Sequence, residues 1–134
     1  MYNIAIVGAT GAVGQEMISI LAERNFPAKT LRPLASERSF GEEIIFKKRS
    51  VPVEVLAEDS FNGVHIALFS AGAAISKKFA PIAARAGAIV VDNSSAFRMD
   101  KDVPLIIPEV NADAIEEAGI DERQCGQNQQ ARQQ

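Results

Sequence analysis

Ile4-Ala5-Ile6-Val7-Gly8-Ala9-Thr10-Gly11-Ala12-Val13-Gly14 stands near the start of the 134-residue chain and decides how the rest is read. Apolar residues run into glycines spaced three apart, and Gln15-Glu16-Met17-Ile18-Ser19-Ile20-Leu21, a helix-forming stretch, follows at once. The pattern is strand, tight turn, helix. In such a turn Gly8 lets the chain leave the strand sharply, Gly11 admits a phosphate close to the backbone, and Gly14 lets helix and strand pack. The helix start adds free N–H groups and a positive dipole end, which together suit a pyrophosphate. The spacing differs from the commonest dinucleotide fingerprint, so the motif alone also fits a plain structural turn. Its place directly after an apolar amino-terminal strand favours ligand binding.

Length and composition bound the reading. A chain of 134 residues suits one domain with a real core. With 47% hydrophobic and 23% charged residues it reads as a soluble globular protein. The net charge of −3 gives no basic footprint, so nucleic acid is not an expected partner. Cys125 is the only cysteine, so no internal disulfide can form. No apolar run has the length of a membrane span, and Tyr2-Asn3 leads straight into the strand without the features of a signal peptide, so the expected compartment is the cytoplasm. His65, alone in an apolar strand, is not expected to hold a metal.

Further along, the first helix is predicted to end at Arg24-Asn25-Phe26-Pro27, and a second strand over 31–35 leads into Ser36-Glu37-Arg38-Ser39. In dinucleotide folds this strand end faces the adenosine ribose, where an acidic residue suits a free 2′-hydroxyl and an arginine a 2′-phosphate. Both signs occur here. A mixed solvated loop is the plain alternative, but Arg38 between Ser36 and Ser39 in a βαβ context tips the reading toward NADP.

Short strands are predicted over 42–49 and 51–56, as an antiparallel excursion at the sheet edge with Lys47-Lys48-Arg49 in a solvated turn. Val64-His65-Ile66-Ala67-Leu68-Phe69 reads as a buried parallel strand ending in Ser70-Ala71-Gly72. A helix is predicted over 76–86, with Ser76 near its start, Gly87 just past its end, and Pro81 expected to kink it or delay its start. A strand over 88–92 leads to Asn93-Ser94-Ser95-Ala96-Phe97-Arg98, and a short helix is predicted over 111–118. This alternation predicts an α/β, Rossmann-like, doubly wound and mostly parallel sheet with helices on both faces. Gly8 to Gly14, Arg38, Ser70 to Gly72 and Asn93 to Arg98 all follow strand ends and should meet in one crevice.

With these residues placed, the sequence resembles aspartate-semialdehyde dehydrogenase from Met1 to about Ile120. The likeness is carried by Val7-Gly8-Ala9-Thr10-Gly11-Ala12-Val13-Gly14, Leu34-Ala35-Ser36 with Arg38-Ser39, Ala67-Leu68-Phe69-Ser70-Ala71-Gly72, Val91-Asp92-Asn93-Ser94-Ser95 with Phe97-Arg98, and Val103-Pro104-Leu105 with Pro108-Glu109-Val110-Asn111. The resemblance implies NADPH-dependent reduction of aspartyl phosphate to the semialdehyde, in the biosynthesis of lysine, methionine and threonine. It implies a pyrophosphate turn of Thr10, Gly11, Ala12 and Val13 after Gly8, a grip on the 2′-phosphate by Arg38 and Ser39, and contact along the cofactor by Ser70 to Gly72. Arg98 would hold the substrate's phosphate group, with an ion pair to Asp100 or Asp102 as the plain alternative. The family's catalytic cysteine attacks the acyl phosphate from a Pro-Asn-Cys segment.

That match stops after Gly119-Ile120, where Asp121-Glu122-Arg123-Gln124-Cys125-Gly126-Gln127 stands instead. Cys125 lacks the preceding Asn and the following hydroxyl and is not expected to be the nucleophile, so no catalytic residue is assigned. Residues 1–120 are thus expected to be an NADP-binding domain and 121–134 a disordered polar tail. The substrate and dimerisation domain of a homo-oligomeric family lies outside the chain, which is expected to be inactive alone. An NADP-binding module without turnover, a regulatory protein that kept only the fold, and an N-acetyl-glutamyl-phosphate reductase-like enzyme are the competing readings.

Overall fold

A computed structural model describes residues 1–97 and 99. Arg98, the segment predicted as a helix over 111–118, Cys125 and the 121–134 tail lie outside the described residues.

Five strands form a parallel sheet in the order β5-β2-β1-β6-β7, built from β1 (Tyr2–Val7), β2 (Ala28–Ala35), β5 (Glu54–Val55), β6 (Ile66–Phe69) and β7 (Ile89–Asp92). Helix α1 (Ala12–Glu23) crosses from β1 to β2, and α2 (Ala73–Arg85) from β6 to β7. Alternation along β1 sends its side chains to both faces. Ile4 and Ile6 pack with Ile18 of α1, whereas Ala5 and Val7 pack with Phe79, Ala80 and Ala83 of α2. The sheet is therefore covered on both sides, as the doubly wound reading requires. The chain runs from β1 outward through β2 to β5, then returns to place β6 on the opposite side of β1. That reversal opens a crevice between the carboxyl ends of β1 and β6.

Between β2 and β5 the crossover is a hairpin, β3 (Glu43–Phe46) antiparallel to β4 (Arg49–Pro52), which forms a separate two-stranded sheet. Lys47 and Lys48 take φ of 49° and 67°, the left-handed pair that a two-residue hairpin turn needs. The predicted 51–56 strand is split at Val53. This buried residue donates its N–H to the Glu42 carbonyl at 2.8 Å, ending the hairpin and redirecting the chain so that β5 can join β2.

Three further expectations shift. β2 begins at Ala28, three residues before the predicted 31, because β1 reaches back to Tyr2 and supplies pairing partners for Ala28 and Thr30. Pro33 is tolerated within β2: the Leu34 carbonyl faces β1 and accepts from Gly8 and Ala9, so Pro33 turns its nitrogen toward the other side, where β5 starts only opposite Leu34. Helix α2 starts at Ala73, with Gly72 as its N-cap at φ 90°, so Ser76 is an interior residue and not a cap. Pro81 lies inside a continuous helix. Its missing N–H would have met the carbonyl of Lys77, an exposed residue.

Candidate functional site

The turn after β1 combines two kinds of glycine. Gly8 has φ of 88°, and a Cβ there would come within 2.9 Å of the Ser70 backbone at the end of β6. At Gly14 a Cβ would come within 2.1 Å of the Gly8 carbonyl oxygen. These two positions are glycine because strand, turn and helix pack backbone against backbone. Gly11 is different. Its φ of −76° is open to any residue, and a Cβ would meet only the Gly8 carbonyl oxygen, at an ordinary 3.5 Å. The protein's own packing leaves the space over Gly11 open, at the N-cap of α1. There, among the described residues, no acceptor meets the N–H groups of Ala12 and Val13. Both residues are exposed. An anion fits this corner on charge and on space.

The end of β2 is drawn toward the same turn. Glu37–Ser39 form one turn of 3-10 helix, and the Ser39 hydroxyl lies 3.2 Å from the Thr10 hydroxyl. A cavity of about 430 Å³ opens beside them, within the roughly 300–1,000 Å³ typical of small-molecule sites. Gly8, Thr10, Ser36, Glu37, Ala71 and Phe79 are among its lining residues, so it joins the ends of β1, β2 and β6. Arg38, exposed in the 3-10 turn, and Ser70 and Gly72 lie outside its wall. A second cavity of about 450 Å³ lies between α1 and the hairpin, lined by Glu42 and Glu43 as well as Thr10 and Ile18. Two carboxylates make it the poorer seat for an anion.

On the other side of the crevice, Ser70 ties β6 to β1: its N–H donates to the Val7 carbonyl at 2.8 Å and its hydroxyl to the same oxygen at 3.2 Å. At the end of β7, Asp92 is buried. Its Oδ1 accepts from the Ser76 hydroxyl of α2 at 2.9 Å and from the Ser94 N–H at 2.8 Å, while Oδ2 accepts from the Ser94 hydroxyl at 2.9 Å. The Ser94 hydroxyl oxygen also accepts the Ala96 N–H at 3.1 Å.

Residues 3–118 match the family described as semialdehyde dehydrogenase, NAD binding domain. The chain belongs to this family. It is 53% identical over 119 residues to the aspartate-semialdehyde dehydrogenase of Bacillus subtilis (strain 168), covering 88% of this chain and 34% of that protein. A crystal structure of aspartate semialdehyde dehydrogenase II from Vibrio cholerae, complexed with ASA, superposes with a TM-score of 0.84 at 51% identity, covering 94% of this chain and 40% of the other. The aspartate semialdehyde dehydrogenase of Candida albicans, solved with NADP, superposes at 0.74 with 26% identity, covering 87% and 36%. The chain thus spans about a third of the length of the curated relatives it matches.

For a semialdehyde dehydrogenase domain, the sequence reading located the strand-end segments and missed how they are held. Gly8, Thr10, Ser36 and Ala71 do meet at one cavity, and Ser39 is held at its rim by Thr10. The sequence places Ser76 near the helix start, and nothing in it ties this residue to Asp92, 16 residues on. The available signal was the Gly72 turn, which allows the helix to begin early and so turns Ser76 inward. Among the described residues no group of three His, Cys, Asp or Glu side chains could hold a metal ion, and no helix is long and apolar enough to cross a membrane.

Proposed function

We propose that this chain is the NADP-binding domain of an aspartate-semialdehyde dehydrogenase, in the cytoplasm, with residues 1–120 as the binding unit. The whole enzyme would reduce L-aspartyl 4-phosphate to L-aspartate 4-semialdehyde and phosphate, as a homo-oligomer. The observation that carries the reading is the open corner over Gly11, with N–H groups at the N-terminus of α1 that no acceptor meets among the described residues, and Ser39 held beside Thr10. In this assignment Thr10, Gly11, Ala12 and Val13 take the pyrophosphate after the turn at Gly8, and Arg38 and Ser39 take the 2′-phosphate. Ser70 and Gly72 border the cofactor, and Arg98 binds the phosphate of the substrate. When bound, the dinucleotide supplies hydride transfer. The protein's part is to hold it across the switch point and to spread its charge over backbone N–H groups and a guanidinium.

Titration calorimetry tests the cofactor. NADP(H) is expected to bind at least tenfold more tightly than NAD(H), since a charge-assisted bond contributes about 1.5–3 kcal/mol. Arg38→Ala should remove about 10- to 100-fold of the NADP affinity and leave that for NAD within about threefold. Equal affinities in the parent chain, or an Arg38→Ala variant that loses nothing, would remove Arg38 from the site.

Gly11→Val supplies an independent test of the pyrophosphate turn. The added Cβ would meet the Gly8 carbonyl oxygen only at an ordinary 3.5 Å, so the fold should lose no more than about 1 kcal/mol, mainly from a poorer helix cap. It would fill the space the phosphates need, and affinity for NADP should fall about 100-fold or more. A folded variant with unchanged binding would make Gly8 to Gly14 a purely structural turn.

A further inference from the structure

Asp92 is a carboxylate at 3% exposure, and among the described residues the groups that meet it are the hydroxyl of Ser76, itself fully buried, and the N–H and hydroxyl of Ser94. A buried carboxylate is tolerated only when such bonds satisfy it, so its partners are held with little freedom. What they hold is the segment just beyond β7. The Asn93 N–H donates to the Phe69 carbonyl at 3.0 Å, Ser94 is bonded through both its N–H and its hydroxyl, the Ala96 N–H is bonded to Ser94, and Phe97 packs against the core that α2 shares with the sheet. Asn93 and Ser95 stay exposed between these anchors.

The place of this segment in the sheet gives it a role. With the pyrophosphate at the turn after β1 and the adenosine half directed to the end of β2, the second half of a dinucleotide extends the other way, over the ends of β6 and β7. Among the described residues, Ser76 is the partner of Asp92 that comes from outside the loop. It joins the segment to α2, whose N-cap Gly72 follows directly on the Ser70-Ala71 turn at β6.

Resting on the cofactor assignment above, we infer that Ser76 and Asp92 are positioning residues: through Ser94 they preset the loop 93–97 for the nicotinamide-ribose half of the dinucleotide and have no part in holding the adenosine half. The loop is then ready before binding, and the ordering cost is met in the fold.

The test compares two probes on the same chain by calorimetry: NADP+, and adenosine 2′,5′-bisphosphate, which lacks the nicotinamide ribose. Ser76→Ala and Ser94→Ala should each weaken NADP+ roughly five- to tenfold and leave the bisphosphate within about twofold. Asp92→Asn, which keeps an oxygen for Ser76 and the Ser94 N–H, should recover most of the NADP+ affinity relative to Ser76→Ala. Parallel losses for both probes would mark the network as merely structural and overturn the inference, as would NADP+ affinity unchanged in both serine variants. Should Ser76→Ala not fold, Ser94→Ala, in a half-buried loop position, decides alone. A parent chain that binds neither probe sinks the cofactor assignment and this inference together. One that binds both, with variants that behave like the parent, sinks only this inference.

Discussion

Gly14→Ala is expected to destabilise the chain by about 3 kcal/mol or more, lowering the thermal midpoint by over roughly 10 °C, in contrast to the mild Gly11→Val. The added methyl would lie 2.1 Å from the Gly8 carbonyl oxygen and 2.9 Å from the Ala9 Cα, and neither neighbour is a flexible side chain that can swing aside. Relief requires α1 to back away from β1. That movement would open the contact between Ile18 and the strand residues Ile4 and Ile6, and with it one of the two cores. Since a domain holds only about 0.05–0.15 kcal/mol per residue in reserve, such a loss is a large part of the total. Thermal unfolding followed by circular dichroism measures it. A midpoint within about 3 °C of the parent would show that the turn can relax, and that glycine at this position serves something other than packing.

The second large effect concerns turnover. Purified as this 134-residue polypeptide, the chain is expected to catalyse phosphate-dependent reduction of NADP+ by aspartate semialdehyde at least about 10,000-fold more slowly than full-length relatives. Acyl-phosphate chemistry of this kind needs a positioned thiolate, a base for its proton and a substrate held within reach, and proximity alone is worth effective molarities of about 10⁵–10⁸ M. Of these, Arg98 is the residue proposed above for the phosphate. Cys125 stands between Gln124 and Gly126, without the preceding Asn and the following hydroxyl of the family's catalytic segment. A coupled absorbance assay at 340 nm decides the matter. Turnover that Cys125→Ser abolishes would reverse the expectation and identify Cys125 as the nucleophile.

The two expectations draw on different levels of information. Residue order was enough for β1, the turn and α1, because a run of four buried residues, Ile4 to Val7, and a helical stripe are local signals. The doubly wound sheet followed from the alternation of such signals, and the strand-end rule pointed to the segments around Gly8, Arg38 and Ser70 before any contact was known. Even Asn25, which takes φ of 49° just past α1, stood where a helix stop was expected.

Tertiary structure decided what depends on residues far apart in the chain. The order of the three glycines in the turn already suggests a different role for each, but only the positions of the Ser70 and Gly8 backbones show how strictly the fold requires Gly8 and Gly14 and how little it requires Gly11. Likewise local rules, which treat a helix as if water surrounded it, could not place Ser76, which is turned inward to a carboxylate at the end of β7. Local preference is worth about 1 kcal/mol or less for most residues, whereas burying an unmatched polar group costs about 1–3 kcal/mol or more, so the long-range partner prevails wherever the two disagree.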